Sequence, residues 1–490
     1  MVVEAEDFRI FTIKPEKLVD RLIVETYLPE NIEVKEKLRG SPSLGNIADV
    51  RCGKTPHDKS AFYGGDILFL KTRNVQEGYL KLKDKFYINT EAQNTLLKNS
   101  KVYPKDVLLT IIGASFEVIG RAVTFPKKLG EANINQNIAR IRLFNTDSIR
   151  PEYVEAFLNS PIGRKQSQMI SRVVGQYNLN LVEVRAIKIP IPPLEVQQTI
   201  IDLWNKAKTT RKTNLDKIKH LSEIVNGDTP FSQSEIELPD LNKSTFFFTK
   251  PEDLGNKLIV EYYRSKLIES IIEKEKTRLT LLPLKELVMV RHDYIKPKET
   301  PKTFYQLLKI SNSGFAHLRE ERRGEEIKYE TMKIVRTGNI VVSRIGAIYG
   351  ATAIVPEVYD NSLVSNEFHV LVPKQDKVAS IYLWKVLRSS YFKSILEGYV
   401  TGGSRLRIKE EKLIEMLIPV PDLKIQQTLS KLVSEAIHQS RELQKEIRHA
   451  KEIAKTKIAT ILLQNVKTYE SIAKDVISKS RETLRELAKY

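Results

Sequence analysis

The sequence predicts an α+β protein made of two tandem mixed α+β domains, separated by two long antiparallel coiled-coil helices and related by pseudo-twofold symmetry. Three observations lead to this prediction. The 490-residue chain contains an internal repeat, each copy ends in the same proline-rich segment, and a proline-free stretch with helical apolar spacing follows each of those segments. A chain of this length is also expected to contain two or more domains.

The repeat consists of three pairs of matching segments that occur in the same order in both halves. The first pair has nine identical residues of fourteen and the last has seven of twelve, whereas the middle pair agrees in residue type. Matches in the same order indicate a duplicated domain whose loops have diverged in length. The pairs are KPEKLVDRLIVETY (14–27) with KPEDLGNKLIVEYY (250–263), KDVLLTIIG (105–113) with GNIVVSRIG (338–346), and IPIPPLEVQQTI (189–200) with IPVPDLKIQQTL (418–429).

Each copy then has the same succession of short apolar runs followed by a longer stretch. The runs predict β-strands and the longer stretch predicts a helix. Together they predict a mixed α+β domain that is used twice. In the first copy the strands are Asp66–Lys71, Val107–Ile112 and Ile138–Leu143 and the helix is Pro151–Ser167; in the second copy the strands are Gln306–Ile310, Asn339–Ser343 and Phe368–Val372 and the helix is Lys377–Leu396.

Each proline-rich segment ends a domain and leads into a helix. Pro192 and Pro193 cannot donate inside a helix, but proline fits a first helical turn. Residues 194–226 contain no proline and carry apolar residues at helical spacing, and residues 429–461 alternate apolar positions every three or four residues, which is typical of a coiled-coil seam. Either stretch alone could be an ordinary surface helix. Two of them, each after a copy of the domain, favour mutual packing.

A pair of glutamines stands on the first turn of each predicted helix, Gln197–Gln198 and Gln426–Gln427. Two interpretations are open. The amides satisfy helix-end groups or hold the helix against its own domain, or they dock a partner. The first interpretation is favoured.

The connectivity predicts how these parts are arranged. The first helix, about 33 residues at 1.5 Å each, is roughly 50 Å long. The linker over residues 226–239 is short, so a second helix that packs on the first must run back antiparallel. Domains at opposite ends of this rod would match two half-sites on B-DNA, one turn of which spans about 34–36 Å. The predicted boundaries are 1–192 for the first domain, 193–228 for the first spacer helix, 229–421 for the second domain, and 422–490 for the second spacer helix with a C-terminal extension, which looks helical over Val466–Tyr490.

The net charge of +18 is the first indication of a partner. An excess of Lys and Arg attracts polyanions, above all nucleic acid, although an unusual host proteome would give the same composition. No apolar run reaches the roughly 20 residues of a membrane span. The opening MVVEAEDF does not resemble a signal peptide, and a single cysteine, Cys52, fits a reducing compartment. We therefore expect a cytoplasmic protein without membrane contact.

Several segments together carry a family resemblance. They are GKTP (53–56), YGGDILFLKTRNV (63–75), VYPKDVLLT (102–110), GASFEVIGRAV (113–123), NQNIARIRL (135–143), GGSRLRI (402–408) and the two proline-rich segments with their glutamines. With the duplication, they make nearly the whole chain similar to the specificity (S) subunit of type I restriction-modification systems. The second copy departs from the pattern, because RHDYIKPKETP (291–301) stands where the first copy has CGKTP.

This resemblance implies a function and a set of partners. Two target recognition domains would each read one half of a split double-stranded DNA sequence, and the helices would act as a ruler between them. Two modification subunits, which carry S-adenosylmethionine and methylate adenine, would dock on the helices. Two restriction motor-nuclease subunits that use ATP and Mg would complete the complex. No cofactor is expected on this chain itself.

The sequence lacks the motifs of the enzymes with which it would work. An adenine methyltransferase needs an Asn/Asp/Ser-Pro-Pro-aromatic loop to hold the flipped base, whereas the Pro-Pro pair here lies between Ile191 and Leu194. No Walker A motif is present, and the scattered histidines with one cysteine give no zinc spacing. We expect a non-catalytic chain. The alternatives are a scaffold protein that binds no DNA and a stand-alone DNA-modifying enzyme.

The expected DNA contacts are loop residues with cationic or amide side chains, because Lys and Arg bind phosphates and Arg, Lys, Asn and Gln read base edges. The segment SRVVGQYN (171–178) combines such side chains with a glycine bend. Arg140 and Arg142 lie on a predicted strand and could equally face solvent. No catalytic or metal-binding residue is expected. The candidates are Lys54, Thr55, Lys71, Arg73, Asn74, Arg172, Gln176 and Tyr177 in the first copy, and Lys309, Asn312, Arg344, Ser404, Arg405 and Arg407 in the second.

Overall fold

The structure is a computed structural model that describes residues 2–5, 8–11, 28–56, 60, 64–174, 176–226, 280–399, 407–464 and 466–487. The chain forms two compact units. The first contains Met1–Asn214 and Gln444–Tyr490, and the second contains Leu215–Leu443. The contacts therefore divide the chain across the long helices rather than at their ends. The repeated segments 14–27 and 250–263 lie outside the described residues.

The first unit contains β-strands from β1 to β14 and most of the first long helix. Its strands are β1 (Val2–Ala5), β2 (Phe8–Phe11), β3 (Ala48–Cys52), β4 (Ile67–Leu70), β5 (Val75–Gln76), β6 (Tyr79–Leu80), β7 (Phe86–Ile88), β8 (Val107–Thr110), β9 (Ile112–Gly113), β10 (Ala122–Thr124), β11 (Ala132–Ile134), β12 (Ile138–Leu143), β13 (Arg172–Val174) and β14 (Gln176–Asn178). Its helices are α1 (Pro29–Lys37), α2 (Leu44–Ile47), α3 (Thr90–Asn94), α4 (Pro151–Asn159), α5 (Pro161–Ile170), α6 (Leu181–Ala186) and α7 (Leu194–Asn226), of which α7 continues into the second unit.

The second unit contains the remaining strands and shares the second long helix with the first unit. The strands are β15 (Thr280–Pro283), β16 (Val288–Val290), β17 (Tyr294–Ile295), β18 (Phe304–Ile310), β19 (Ala316–Arg323), β20 (Met332–Val335), β21 (Ile340–Ser343), β22 (Thr352–Ile354), β23 (Ser362–Val364), β24 (Phe368–Pro373) and β25 (Leu417–Val420). The helices are α8 (Leu284–Leu287), α9 (Ser380–Val386), α10 (Ser390–Tyr399), α11 (Glu410–Leu413) and α12 (Leu423–Gln464); α13 (Glu470–Leu487) follows in the first unit.

A four-stranded antiparallel sheet occurs in both units with the same strand order. The order is β10-β8-β12-β3 in the first unit and β22-β21-β24-β16 in the second. The central strands β8 and β21 each have three apolar residues followed by Thr110 or Ser343, and all of these residues are buried, as expected for strands covered on both faces. The duplication predicted from sequence is therefore present in the topology of the sheets. The strand predicted over Ile138–Leu143 is confirmed without change as β12.

A second sheet differs between the units, with three strands in the first and five in the second. Both contain a parallel pair, which joins β4 to β11 in the first unit and β18 to β23 in the second. The first sheet has the order β11-β4-β7, whereas the second has the order β17-β20-β23-β18-β19. The antiparallel pair of β4 and β7 matches that of β18 and β19, and the second unit adds β20 and β17 beyond β23. The two units thus share a core sheet and differ beside it.

Each single helix predicted before a proline-rich segment is in fact a pair of helices. In the first unit, α4 ends before Ser160 and α5 begins at Pro161, which has no N–H to continue the helical ladder. The Ser160 hydroxyl accepts the backbone N–H of Gly163 at 3.3 Å and caps α5. In the second unit, the hydroxyl of Ser389 accepts the N–H of Phe392 at 3.2 Å, before α10. The break is therefore part of the repeated design.

Buried side chains fasten each proline-rich segment to its own unit. The hydroxyl of Tyr153 donates to the carbonyl of Pro190, and the hydroxyl of Tyr382 donates to the carbonyl of Pro419 at 2.6 Å. Both tyrosines are almost fully buried. Burial raises the pKa of Tyr382 far above that of a free tyrosine, so its hydroxyl stays protonated and donates.

The first glutamine of each pair is fully buried and holds a long helix on the loop before α4 or α9. Gln197 accepts the backbone N–H of Arg150 at 3.0 Å and donates to the carbonyls of Ser148 and Pro192, both at 2.9 Å. Gln426 accepts the N–H of Ala379 at 2.9 Å in the same way. These contacts support the structural interpretation of the buried glutamines over partner docking.

The two long helices pack against each other in antiparallel directions within the first unit. The segment after β5 contacts both helices, because Glu77 binds Lys455 of α12 and Gly78 lies against Trp204 of α7. Ten residues later in α7, Asn214 donates to Glu446 at 2.8 Å, which lies nine residues earlier in α12. Apolar side chains of both helices join the core of the unit, namely Ile200, Trp204, Ala207, Ala454, Ile458 and Leu462. None of the helices described is long and apolar enough to span a membrane.

Candidate nucleic-acid interface

Several loops of the first unit meet at one end of its four-stranded sheet. There β3 ends, β12 begins and β8 ends, so that the N–H of Gly53 donates to the carbonyl of Ile138 at 3.3 Å and the N–H of Ile111 donates to that of Asn137 at 2.9 Å. The short strand β9 continues from this end and pairs with β14. We call residues 53–56, 111–113 and 135–137, with β13 and β14, the first edge. Many of the residues predicted to contact DNA lie on or beside it.

The loop after β3 is fixed by close packing. A side chain at Gly53 would overlap the backbone carbonyls of Ile134 and Asn135, so only glycine fits. The Thr55 hydroxyl donates to the amide oxygen of Gln136, and Lys54 is exposed beside it. Lys54 and Thr55, both predicted to contact DNA, therefore lie next to Gln136, which was not among the predicted contacts.

The turn after β4 adds a cationic pair next to the first edge. The N–H of Asn135 donates to the carbonyl of Leu70 at 3.0 Å, which places Lys71 beside residue 135. The ammonium of Lys71 lies 3.4 Å and the guanidinium of Arg73 5.0 Å from the centre of the Phe86 ring. Burial, and then the neighbouring Arg73, lower the pKa of Lys71. An anion bound nearby would offset the repulsion between Lys71 and Arg73.

Asn74 has a different role from the one that its side chain suggests. It is 3% exposed, its amide oxygen accepts the N–H of Lys71 at 2.8 Å, and its amide nitrogen donates to the carbonyl of Lys81 at 2.8 Å. Both ends of the amide thus hold the turn that carries Lys71 and Arg73. Asn74 positions the turn, and its amide does not face outward.

The segment 171–178 forms the β13–β14 hairpin at the outer side of the first edge. Arg172 donates to Glu183 at 2.9 Å, and Gln176 is exposed. The ring of Tyr177 packs on that of Phe116 with 4.0 Å between centroids. The hairpin therefore presents an exposed amide beside an aromatic pair that is anchored in the unit.

The second unit has an edge at the equivalent place, which we define as residues 291–293, 344–346, 365–367 and 407–408. The N–H of Arg344 donates to the carbonyl of Glu367, and the N–H of Ile408 donates to that of Arg344, both at 2.9 Å. Arg407 donates twice to the Glu367 carboxylate, each time at 3.1 Å, which fixes the plane of its guanidinium. Ser404 and Arg405 lie outside the described residues.

Lys309 and Asn312 occupy the places in the second unit that Lys71 and Asn74 occupy in the first. In the parallel strand pairs, Phe69 pairs with Asn133 and Leu307 pairs with Leu363. Lys71 and Lys309 each lie two residues after the paired residue of their own strand. Both Lys309 and Asn312 are exposed. Unlike Asn74, Asn312 is therefore on the surface, in the turn between β18 and β19.

Two arginines that the sequence left open to DNA or solvent have protein partners instead. Arg140 is buried on β12 and donates to Asp49 on β3. Arg142 donates to both oxygens of Asp106, at 2.8 and 2.7 Å. Arg140 therefore faces neither DNA nor solvent, whereas Arg142 is only half-buried.

Gln136 is exposed on the first edge but was not among the predicted contacts. A usable signal was present, since NQN (135–137) is an amide-rich loop directly before a buried strand. Among the residues that the structure describes, no group of three or more His, Cys, Asp or Glu is placed to hold a metal ion.

The family of the chain follows from comparison with known proteins. A family model of the type I restriction modification DNA specificity domain matches residues 41–221 and 283–450, one stretch in each copy of the repeat and together well over half of the chain. The chain belongs to this family. The resemblance inferred from the sequence motifs is thereby confirmed, and the chain is placed among the specificity subunits rather than the modification or restriction enzymes.

Two curated specificity subunits are similar over part of their length. The specificity subunit of type I restriction enzyme MjaVIII from Methanocaldococcus jannaschii is 25% identical over 285 residues, which cover 56% of this chain and 61% of that protein. The specificity subunit of type I restriction enzyme EcoBI from Escherichia coli is 28% identical over 135 residues, 28% of this chain and 27% of that protein. The chain thus spans less than two thirds of the length of either relative.

Solved structures of specificity subunits are also similar. The type I S subunit from M. genitalium is 11% identical with a TM-score of 0.42, over 86% of this chain and 95% of that chain. The HsdS subunit from Thermoanaerobacter tengcongensis is 13% identical with a TM-score of 0.31, over 86% of this chain and 95% of that chain.

Proposed function

We propose that this specificity subunit binds a bipartite double-stranded DNA target, with one half-site on each edge. The observation that carries the proposal is that the same sheet end is built twice but presents different side chains. The first edge offers Thr55, Gln136 and Gln176, whereas the second offers Arg344 and Arg407. Amides pair best with adenine and arginines with guanine in the major groove, so the two edges are suited to different bases.

The proposed contacts divide into two kinds. Exposed Lys54, Lys309 and Arg172, with Lys71 and Arg73 on their turn, are assigned to phosphates, which fix register without reading sequence. Exposed Gln176 and Asn312, with Tyr177 and Thr55, are assigned to base edges or their surroundings. In the second unit Arg344 and Arg407 are joined by Ser404 and Arg405, which remain predictions from sequence. Asn74 is left out, because its amide is used inside the turn.

The long helices have the proposed role of a ruler and a docking surface. The reading domains would cover residues 1–192 and 229–421, with the spacer helices after them over 193–228 and 422–490. Two modification subunits with S-adenosylmethionine, and two restriction subunits with ATP and Mg, would assemble on this frame in the cytoplasm. This chain would catalyse neither methylation nor cleavage itself.

Co-expression with the modification subunit encoded beside it, followed by sequencing of modified bases, tests this function. The expected result is adenine methylation in both halves of one split sequence. A single continuous site, or no methylation, would contradict the bipartite proposal. A scaffold protein would bind no duplex DNA even at low salt with its partner present, and a stand-alone enzyme would modify DNA without any partner.

A further inference from the structure

A cleft of about 510 Å³ opens in the first unit between the segment after β5, helix α5 and the two long helices. Cationic side chains outnumber acidic ones in its lining. The cations are Arg121, Arg164, Arg211, Arg448, Lys451 and Lys455, and the acids are Glu77, Glu117 and Glu452. The cleft is therefore a concentration of positive charge whose lining includes none of the residues already assigned to DNA.

Part of this charge is neutralised inside the protein. The carboxylate of Glu77 lies 2.6 Å from the ammonium of Lys451 and 3.2 Å from that of Lys455, with Arg164 at 4.0 Å. Burial alone would raise the pKa of Glu77, but these three cations outweigh it and hold the pKa below its usual value. Glu77 is thus ionised, and this cluster fastens α12 to the domain.

Three guanidinium groups of the cleft lining are not part of the cluster around Glu77. Arg211 of α7 lies 3.3 Å above the ring of Tyr79, and Arg121 donates to Gln76 at 3.0 Å. Arg448 of α12 is exposed. Guanidinium groups match the oxygens of phosphate in charge and in fork geometry, and arginine on an aromatic ring is held in place for such a contact.

The cleft is connected to the first edge through one loop. The carbonyl of Arg121 accepts the N–H of Thr110 at 2.9 Å, at the end of β8. Arg164 donates to the carbonyls of Phe116, at 2.7 Å, and Ile119. Phe116 packs on Tyr177 of the hairpin at the first edge. An anion in the cleft would therefore lie beside the first edge, on its β10 side.

We propose that this cleft binds a phosphate group, and that the source is the DNA backbone next to the half-site on the first edge. The source rests on the proposed function, whereas the phosphate chemistry does not. Arg211 and Arg448 belong to the long helices, so the helices themselves would contact DNA in addition to separating the domains. A free nucleotide presents the same chemical group and is the alternative source.

The second unit gives a contrast. It has a cavity of about 260 Å³ beside α12 that is lined mainly by apolar side chains, including Phe315, Ile354, Trp384 and Ile437. No phosphate site is expected there. This cavity has one arginine in its lining, Arg441, and so does not repeat the arginine cluster of the cleft.

The test compares two double variants of the full chain. R211Q/R448Q removes two charges from the cleft without touching the Glu77 cluster. K217Q/K431Q is the matched control, since Lys217 and Lys431 are exposed on the same two helices and do not line the cleft. The readout is the salt dependence of binding to a mixed-sequence duplex of about 30 base pairs, in which the slope of log K against log salt is about −0.9 for each phosphate contact.

The R211Q/R448Q slope is expected to be shallower than that of the control by about 1, with weakening that is uniform across DNA sequences. Equal slopes for the two variants would overturn the DNA source. A second arm measures thermal stabilisation by ATP and by inorganic phosphate. Stabilisation of wild type but not of R211Q/R448Q by ATP, with equal DNA slopes, would identify a nucleotide instead.

If the two variants had equal DNA slopes and neither ATP nor inorganic phosphate stabilised wild type, the phosphate site itself would be overturned. If wild type bound no duplex at low salt, the proposed DNA-binding function would fail, and the phosphate arm alone would still decide whether the cleft is an anion site. Unchanged thermal unfolding of both double variants without ligand shows that neither has lost its fold.

Discussion

Replacement of Gln197 by alanine tests how the proline-rich segment joins the first domain to its helix. Gln197 is fully buried and makes three hydrogen bonds, with Arg150, Ser148 and Pro192. A buried hydrogen bond contributes about 1 kcal/mol net, and each partner that stays buried without a replacement costs more. The free energy of unfolding of the first unit should therefore fall by about 3 kcal/mol.

The two tryptophans of the chain make this measurement specific to one unit. Trp204 is buried in the first unit and Trp384 in the second. In a Trp384→Phe background, tryptophan fluorescence reports the first unit alone during urea or thermal unfolding. A loss of about 3 kcal/mol corresponds to a decrease in melting temperature of roughly 6–12 °C for a unit of this size.

Gln427 provides the matched control, because it follows the buried Gln426 but is exposed. Gln427→Ala should change stability by less than about 0.5 kcal/mol. Gln426→Ala, followed through Trp384 in a Trp204→Phe background, should repeat the large effect in the second unit. If Gln197→Ala were as mild as Gln427→Ala, the glutamines would not be structural anchors and docking of a partner would be the better explanation.

Three further predictions follow from the first unit. Gly53→Ala should displace the loop after β3 and abolish methylation at one half-site, as read by sequencing of modified bases; retained methylation would refute the packing argument. Glu77→Gln should destabilise the first unit by about 2 kcal/mol or more. Because the pKa of Glu77 is lowered, its contribution to the free energy of unfolding is full above about pH 4.3 and is lost as pH falls through the lowered value. Unfolding of the variant should therefore depend less on pH in that acidic range, and an unchanged pH profile would contradict this. Tyr153→Phe, which loses the bond to Pro190, should cost about 1–2 kcal/mol, and an effect below about 0.3 kcal/mol would show that the bond is not maintained.

The repeat made much of the fold predictable from sequence. Each of β8 and β21 begins with three consecutive apolar residues, which is why they were found where they lie. The helix break at Pro161 was missed, because apolar spacing continues across it. A capping serine before a proline, Ser160, was the signal that could have found it.

The candidate site was less predictable, because exposure is decided by contacts far apart in sequence. Asn74 has the side chain of a base reader, yet its amide is used by Lys71 and Lys81 in its own turn. Arg140 is neutralised by Asp49, which lies on a strand 91 residues away in sequence. Gln136 reaches the surface only because three strand ends meet there. Residue type shows what a side chain could bind, and tertiary contacts decide whether it faces outward.

The central claim, that each unit binds its own half of a split target, is tested most directly by exchanging one unit. Residues 1–192 and 444–490 would be grafted together into another specificity subunit, because the first unit contains chain from both regions. Sequencing of methylated bases would then identify the new target. We expect a hybrid target with one half from each parent. A target in which both halves change together, or one continuous site, would contradict it.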